Sequence, residues 1–156
     1  MKRRGFTYIE MLVVLAIMAI LLLLAMPSAK YRIQHQKEQD LKVALNQIRT
    51  AIDAYKKAAD SGHVLVLPGE SGYPKSLDDL VQGVTDQLSS DHHKMYFLRS
   101  LPRDPFATND QTSAASTWAS RSYSSPPDNP APGDDVYDIH SLSKLKGLNG
   151  VPYNLW

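Results

Sequence analysis

Cysteine is absent from the 156 residues, so neither a disulfide nor thiolate chemistry supports the fold or a site. Charge has no dominant sign, with 17 Lys and Arg against 16 Asp and Glu. No basic cluster is interleaved with aromatics, and a nucleic-acid footprint is therefore missing. Gly-x-Ser-x-Gly, the P-loop and His-Glu-x-x-His are all lacking, so no catalytic residue is assigned and no enzyme is expected. Metal-ligand spacing is lacking too. His92 and His93 are adjacent and point apart on a helix or strand, while His35, His63 and His140 read as isolated. Charge is scarcest from Phe6 to Met26, where the only charged side chain is Glu10.

That run has twenty-one residues and, as a helix, reaches roughly 30 Å, the thickness of a bilayer core. Lys2, Arg3 and Arg4 precede it, which keeps the N-terminus cytoplasmic and places the chain beyond Pro27 outside. A carboxylate in such a run costs about 2.5–3.5 kcal/mol at mid-membrane depth, less near the headgroups. Three ordinary readings compete. A cleaved secretory signal is poorly served, because Pro27 spoils most cleavage registers in Ala25-Met26-Pro27-Ser28-Ala29. A twin-arginine signal fits Arg3-Arg4-Gly5-Phe6 but shares that defect. A plain anchor in which Glu10 reaches back to water stays open.

The string Arg4-Gly5-Phe6-Thr7-Tyr8-Ile9-Glu10-Met11-Leu12-Val13-Val14 closely resembles the type IV prepilin signal. The resemblance implies cleavage by a prepilin peptidase between Gly5 and Phe6. It also implies N-methylation of Phe6 and a charge pair between Glu10 and the Phe6 amine of a neighbouring subunit. A free α-amine titrates near about 8 and is mostly charged at neutral pH. At about 4 Å and an effective dielectric near 20 the pair gains roughly 4 kcal/mol, enough to offset the insertion cost. Without the three leader cations, fourteen basic residues face sixteen acidic ones, a formal −2.

Beyond Pro27, expected to break the helix, Leu41, Leu45, Ile48, Ile52, Tyr55 and Ala59 recur in steps of four and three. They form one apolar stripe of an amphipathic helix reaching about Asp60, set to pack on a small head. Phe6 to Asp60 would run roughly 80 Å if wholly helical. In filaments of the resembled family the stretch before this proline is often unwound, here about Ala19 to Pro27. The expected organisation is a leader over 1–5, a transmembrane and filament-core helix over 6–27, an amphipathic helix over 28–60 and a periplasmic head over 61–156.

The head opens on Ser61 to Gly72, with the apolar run Val64-Leu65-Val66-Leu67. A short helix comes next, with Ser76 as cap, Asp79 completing a capping box, and Leu77, Leu80 and Val81 as its apolar side. Strands are expected at Thr117–Ala119, Arg121–Ser125, Val136–Leu142 and Val151–Leu155, with Asn149-Gly150 a tight turn before the last. The four prolines between Pro126 and Gly133 make a loop. The fold class is thus α+β: a long N-terminal helix on a small antiparallel meander, pilin-like.

Tyr73-Pro74-Lys75-Ser76-Leu77 and Tyr96-Phe97-Leu98-Arg99-Ser100-Leu101-Pro102-Arg103-Asp104-Pro105-Phe106 are similar to the major (G-type) pseudopilin of type II secretion. Where that family continues with tryptophan and glycine, this chain has Phe106-Ala107 and a Ser/Thr/Ala-rich insertion to about Ser116. Many type IV major pilins close their C-terminal region with a disulfide, and the missing cysteine shifts weight to the pseudopilins. Val136-Tyr137-Asp138-Ile139-His140-Ser141-Leu142-Ser143 resembles the family's approach to a calcium loop. The next residues, Lys144 to Gly150, hold no carboxylate, a poor donor set for an ion that takes six to eight oxygens. Asp134, Asp135 and Asp138 are the nearest acids, and Gly147-Leu148-Asn149-Gly150 packing is another way to order the loop. No cofactor is therefore expected.

The resemblance implies a helical homo-oligomer, held in inner-membrane lipid before assembly. Its partners would be the peptidase, a secretion platform, minor pseudopilins and an ATPase, but not nucleic acid. A type IV pilin for adhesion, motility or DNA uptake, and a lone anchored binding module, are the rival readings.

Overall fold

The computed structural model describes residues 5–108 and 112–156, with the backbone alone over 23–29. The leader cations and the centre of the 107–116 insertion lie outside the described residues. Two compact units divide at Gln36 and Lys37.

Helix α1 (Tyr8–Asp60) is the dominant element. In the first unit every described side chain from Phe6 to Leu22 is exposed. Among the described residues no helix is long and apolar enough to cross a membrane. The apolar run of the sequence extends into residues 23–26, whose side chains are not described. The backbone is helical across Pro27, so the break expected there is absent from the single chain. Proline removes one N–H bond, and the flanking turns of a 53-residue helix carry that loss.

In the second unit the stripe predicted on α1 is the core seam. Leu41, Leu45, Ile48, Ile52, Tyr55 and Ala59 are all buried, joined by Ala44, Ala51 and Ala58. They pack against Val64, Leu77, Leu80, Leu98, Trp118, Val136, Ile139 and Tyr153. Full burial stabilises each Leu or Ile by about 1.5–3 kcal/mol, and Leu41, Ile48, Ile52, Leu80 and Ile139 are inaccessible or nearly so.

Helix α2 (Asp79–Gln82) is a single turn. Its expected capping box is half made: the Ser76 N–H donates to Asp79 Oδ2 at 2.9 Å, but the Ser76 hydroxyl does not cap. Leu77 and Leu80 are buried and Val81 partly so, as its apolar side requires. After it comes a hairpin absent from the sequence expectations, β1 (Val84–Thr85) antiparallel to β2 (Lys94–Met95).

The meander is smaller than expected. Thr117–Ala119 and Arg121–Ser125 give one strand, β3 (Trp118–Arg121), preceded by a 3-10 turn over Ala115–Thr117. It pairs antiparallel with β4 (Asp138–Ser141), Trp118 opposite Ser141 and Arg121 opposite Asp138. Ser122 leaves the ladder because its N–H donates to Ala131 O and its hydroxyl to Asp135. Val151–Leu155 is not a strand. Pro152 cannot donate to a ladder, and the segment makes a single bridge, Lys146 to Pro152, before a 3-10 turn, Tyr153–Leu155. The architecture is nonetheless α+β and pilin-like, one long helix on two small antiparallel sheets.

Candidate assembly site

The N-terminal constellation begins at Gly5, where an added Cβ would meet nothing within 4 Å. Phe6 is 77% exposed. Thr7 and Glu10 form a reciprocal pair: the Glu10 N–H donates to Thr7 Oγ1 at 3.3 Å, and the Thr7 N–H donates to Glu10 Oε2 at 3.4 Å. This is a capping box, and it ties two of the backbone donors that a helix start leaves unpaired. Glu10 also sits where the positive end of the helix dipole favours an anion. Its carboxylate therefore has a partner within its own chain while remaining exposed. The sequence signal for this cap is Thr7-Tyr8-Ile9-Glu10, a Thr-x-x-Glu ahead of an apolar run.

In the head, two α1 side chains, Arg49 and Glu38, fix the sheet and the C-terminal segment to the helix. Arg49 donates Nε to Asp138 Oδ1 at 2.7 Å and Nη2 to the carbonyls of Ile139 and Trp156, each at 3.0 Å. Arg121 lies 3.9 Å from the other Asp138 oxygen. Glu38, only 5% exposed, accepts the Leu148 N–H at 2.7 Å and the Tyr153 hydroxyl at 2.8 Å, both on Oε1. The turn it holds is the one anticipated: the Gly150 N–H donates to Gly147 O, and Gly150 takes a φ of 79°.

The Leu-Pro-Arg-Asp-Pro passage is built around buried Asp104. Its carboxylate accepts the Phe106 N–H at 2.7 Å and the Ser141 hydroxyl, and its own N–H donates to Thr117 Oγ1. Trp118 Nε1 donates to Pro102 O at 2.9 Å. The passage is thereby bound to both strands of the second sheet.

Of the acids near the C-terminal loop, Asp135 accepts bonds from Ser71, Ser122 and the Tyr123 N–H. Burial pushes its pKa up, yet those hydrogen bonds outweigh burial and hold it below the ordinary carboxylate value. Asp138 is committed to Arg49, while Asp134 is exposed.

His63 is not isolated. Its Nδ1 lies 2.9 Å from Asp86 Oδ1, with His93 Nε2 3.8 Å from Oδ2. The His63 hydrogen bond, then the Leu88 N–H, depress the Asp86 pKa. His92 and His93 stand exposed in the β1–β2 connection. Among the described residues no group of three or more His, Cys, Asp or Glu could hold a metal ion.

The family model of the prokaryotic N-terminal methylation motif matches residues 1–26. The chain is 28% identical over 112 residues to the type II secretion system core protein G of Escherichia coli (strain K12), covering 69% of this chain and 70% of that protein. No solved structure matches it.

Proposed function

We propose that this chain, type IV pilin-like at its N-terminus and in its fold, is the structural subunit of a type II secretion pseudopilus. In this reading a prepilin peptidase cuts between Gly5 and Phe6 and the Phe6 amine is methylated. Residues 6–27 hold the subunit in the inner membrane, N-terminus cytoplasmic and head periplasmic. An ATPase, a membrane platform and minor pseudopilins then build a helical homo-oligomer that drives protein export. Head-to-tail contacts of this kind are heterologous and generate an open helix.

The observation that carries the reading is the first unit of the structure. Every described side chain from Phe6 to Leu22 is exposed, and the one carboxylate among them, Glu10, sits in the first turn of the helix. Such a surface needs lipid or other subunits to cover it. In a growing filament the freed Phe6 amine of one subunit would meet Glu10 of the next. Local unwinding before Pro27 belongs to that assembled state.

The test is mass spectrometry of the mature N-terminus with a Glu10→Leu variant beside it. Wild type should begin at methylated Phe6, and the variant should insert normally but form few filaments. A chain that keeps Met1 and stays monomeric in detergent would overturn the reading. A deletion strain that loses only secreted proteins separates this role from a surface pilus, which would instead cost long fibres and twitching.

A further inference from the structure

We infer that the C-terminal loop of this chain is ordered by the Glu38 carboxylate of α1, in place of a calcium ion. The resemblance in sequence raises calcium at this position, and the residues present do not fit it. Between Leu142 and Gly150 the side chains include Lys144 and Lys146 and no acid. The nearby carboxylates of Asp135 and Asp138 are already held by hydroxyls, a backbone N–H and Arg49. A calcium site would have to strip those partners to assemble its oxygens.

The work of such an ion, drawing a loop's polar groups to one point, is done here from the other side. Glu38 Oε1 accepts one backbone donor from the turn and one phenol donor from the segment after it. The turn closes on itself through Gly150 N–H to Gly147 O, and Gly147 N–H to Val151 O. Tyr153 N–H donates to Leu145 O at 3.0 Å, which links both sides of the loop. Close packing completes it. A Cβ on Gly147 would come within 2.7 Å of the Trp156 ring and 3.2 Å of the Tyr153 ring, so the turn can approach those rings only with glycine there. A buried carboxylate is costly without partners, and hydrogen bonds to a charged acceptor are the stronger class. Glu38 is therefore a positioning residue, and the inference does not depend on the proposed secretion role.

Limited digestion of the full chain in detergent with a Lys-specific protease reads the loop directly, since Lys144 and Lys146 lie exposed within it. Cleavage of a locally opened segment follows the population of the open form. Wild type should be cut there at the same rate in millimolar calcium and in EDTA. Glu38→Ala should be cut about ten- to a hundredfold faster, from the loss of two bonds to a charged acceptor. Glu38→Gln, which keeps a carbonyl acceptor, and Tyr153→Phe should fall between. Calcium should rescue none of them. Where Glu38→Ala fails to fold by circular dichroism, the milder variants and the wild-type calcium arm decide. Wild-type protection that rises with calcium and falls with EDTA, or loop cleavage unchanged in the Glu38 and Tyr153 variants, overturns the inference.

Discussion

At the scale of single residues, Glu10 has one partner in the structure, Thr7, and would exchange it for another under the proposed assembly. Inside the chain it completes the Thr7 capping box, with hydrogen bonds long enough to place their worth at the lower end for a cap, about 0.5–1 kcal/mol. In the proposed filament the same carboxylate would meet an amine worth several times more. Thr7→Ala should therefore fray the first turn of α1, raising amide exchange from Tyr8 to Met11 about two- to fivefold in detergent micelles, while Thr7→Ser stays near wild type. Exchange unaltered by the alanine would show that the box contributes nothing. Gly5 behaves differently. A side chain there has open space, so under the proposed cleavage a bulky Gly5 variant that stays uncut would report on peptidase recognition and not on misfolding.

At the scale of elements, α1 organises the head because its seam is continuous from Leu41 to Ala59. Ile48 lies at its centre and is fully buried. Ile48→Ala should cost about 2–5 kcal/mol and lower the thermal midpoint by several degrees, whereas Val43→Ala, at a 64% exposed position, should cost little. Equal effects at the two positions would mean the seam is not the core. The helix and its buried face were legible because a 3.6-residue period is local information. The sheets were less so. With strands of two to four residues, alternation is too short to fix ends, and the β1–β2 hairpin has too few residues to register at all. The last expected strand failed on Pro152, whose missing N–H was visible in the sequence and outweighs the apolar run around it.

For the molecule as a whole, stability should depend on pH in two steps. Burial, helped by Arg49 and Arg121 and opposed by Asp138, lowers the His140 pKa below its ordinary 6.5. Unfolded chain then takes up a proton that folded chain refuses, so stability falls as pH drops from about 6.5 through the lowered folded value. Asp86 and Asp135 are depressed below 3.8. Their contribution is fully present above that value and is lost as pH falls through their folded values. Thermal melts from pH 7 to 3 should show both declines, and His140→Gln should abolish the first while leaving the second. A melt temperature constant from pH 7 to 5 in wild type would contradict the assignment.

Local sequence was enough to set the prepilin-like motif over residues 1–26, the place of Glu10 within it, the apolar run to Met26, the core seam of α1 and the α+β class. Each depends on neighbours a few residues apart or on one period. Folding in three dimensions settled what Arg49, Glu38, Asp104 and His63 hold. Their partners stand 89 residues away for Arg49 to Asp138, 110 and 115 for Glu38 to Leu148 and Tyr153, 37 for Asp104 to Ser141, and 23 for His63 to Asp86. No local pattern encodes such pairs. Burying the seam carries Glu38 and Asp104 out of water, where each must find whichever complementary group the folded chain brings within reach, while Arg49 and His63 stay partly exposed and meet theirs only because the fold brings distant segments together.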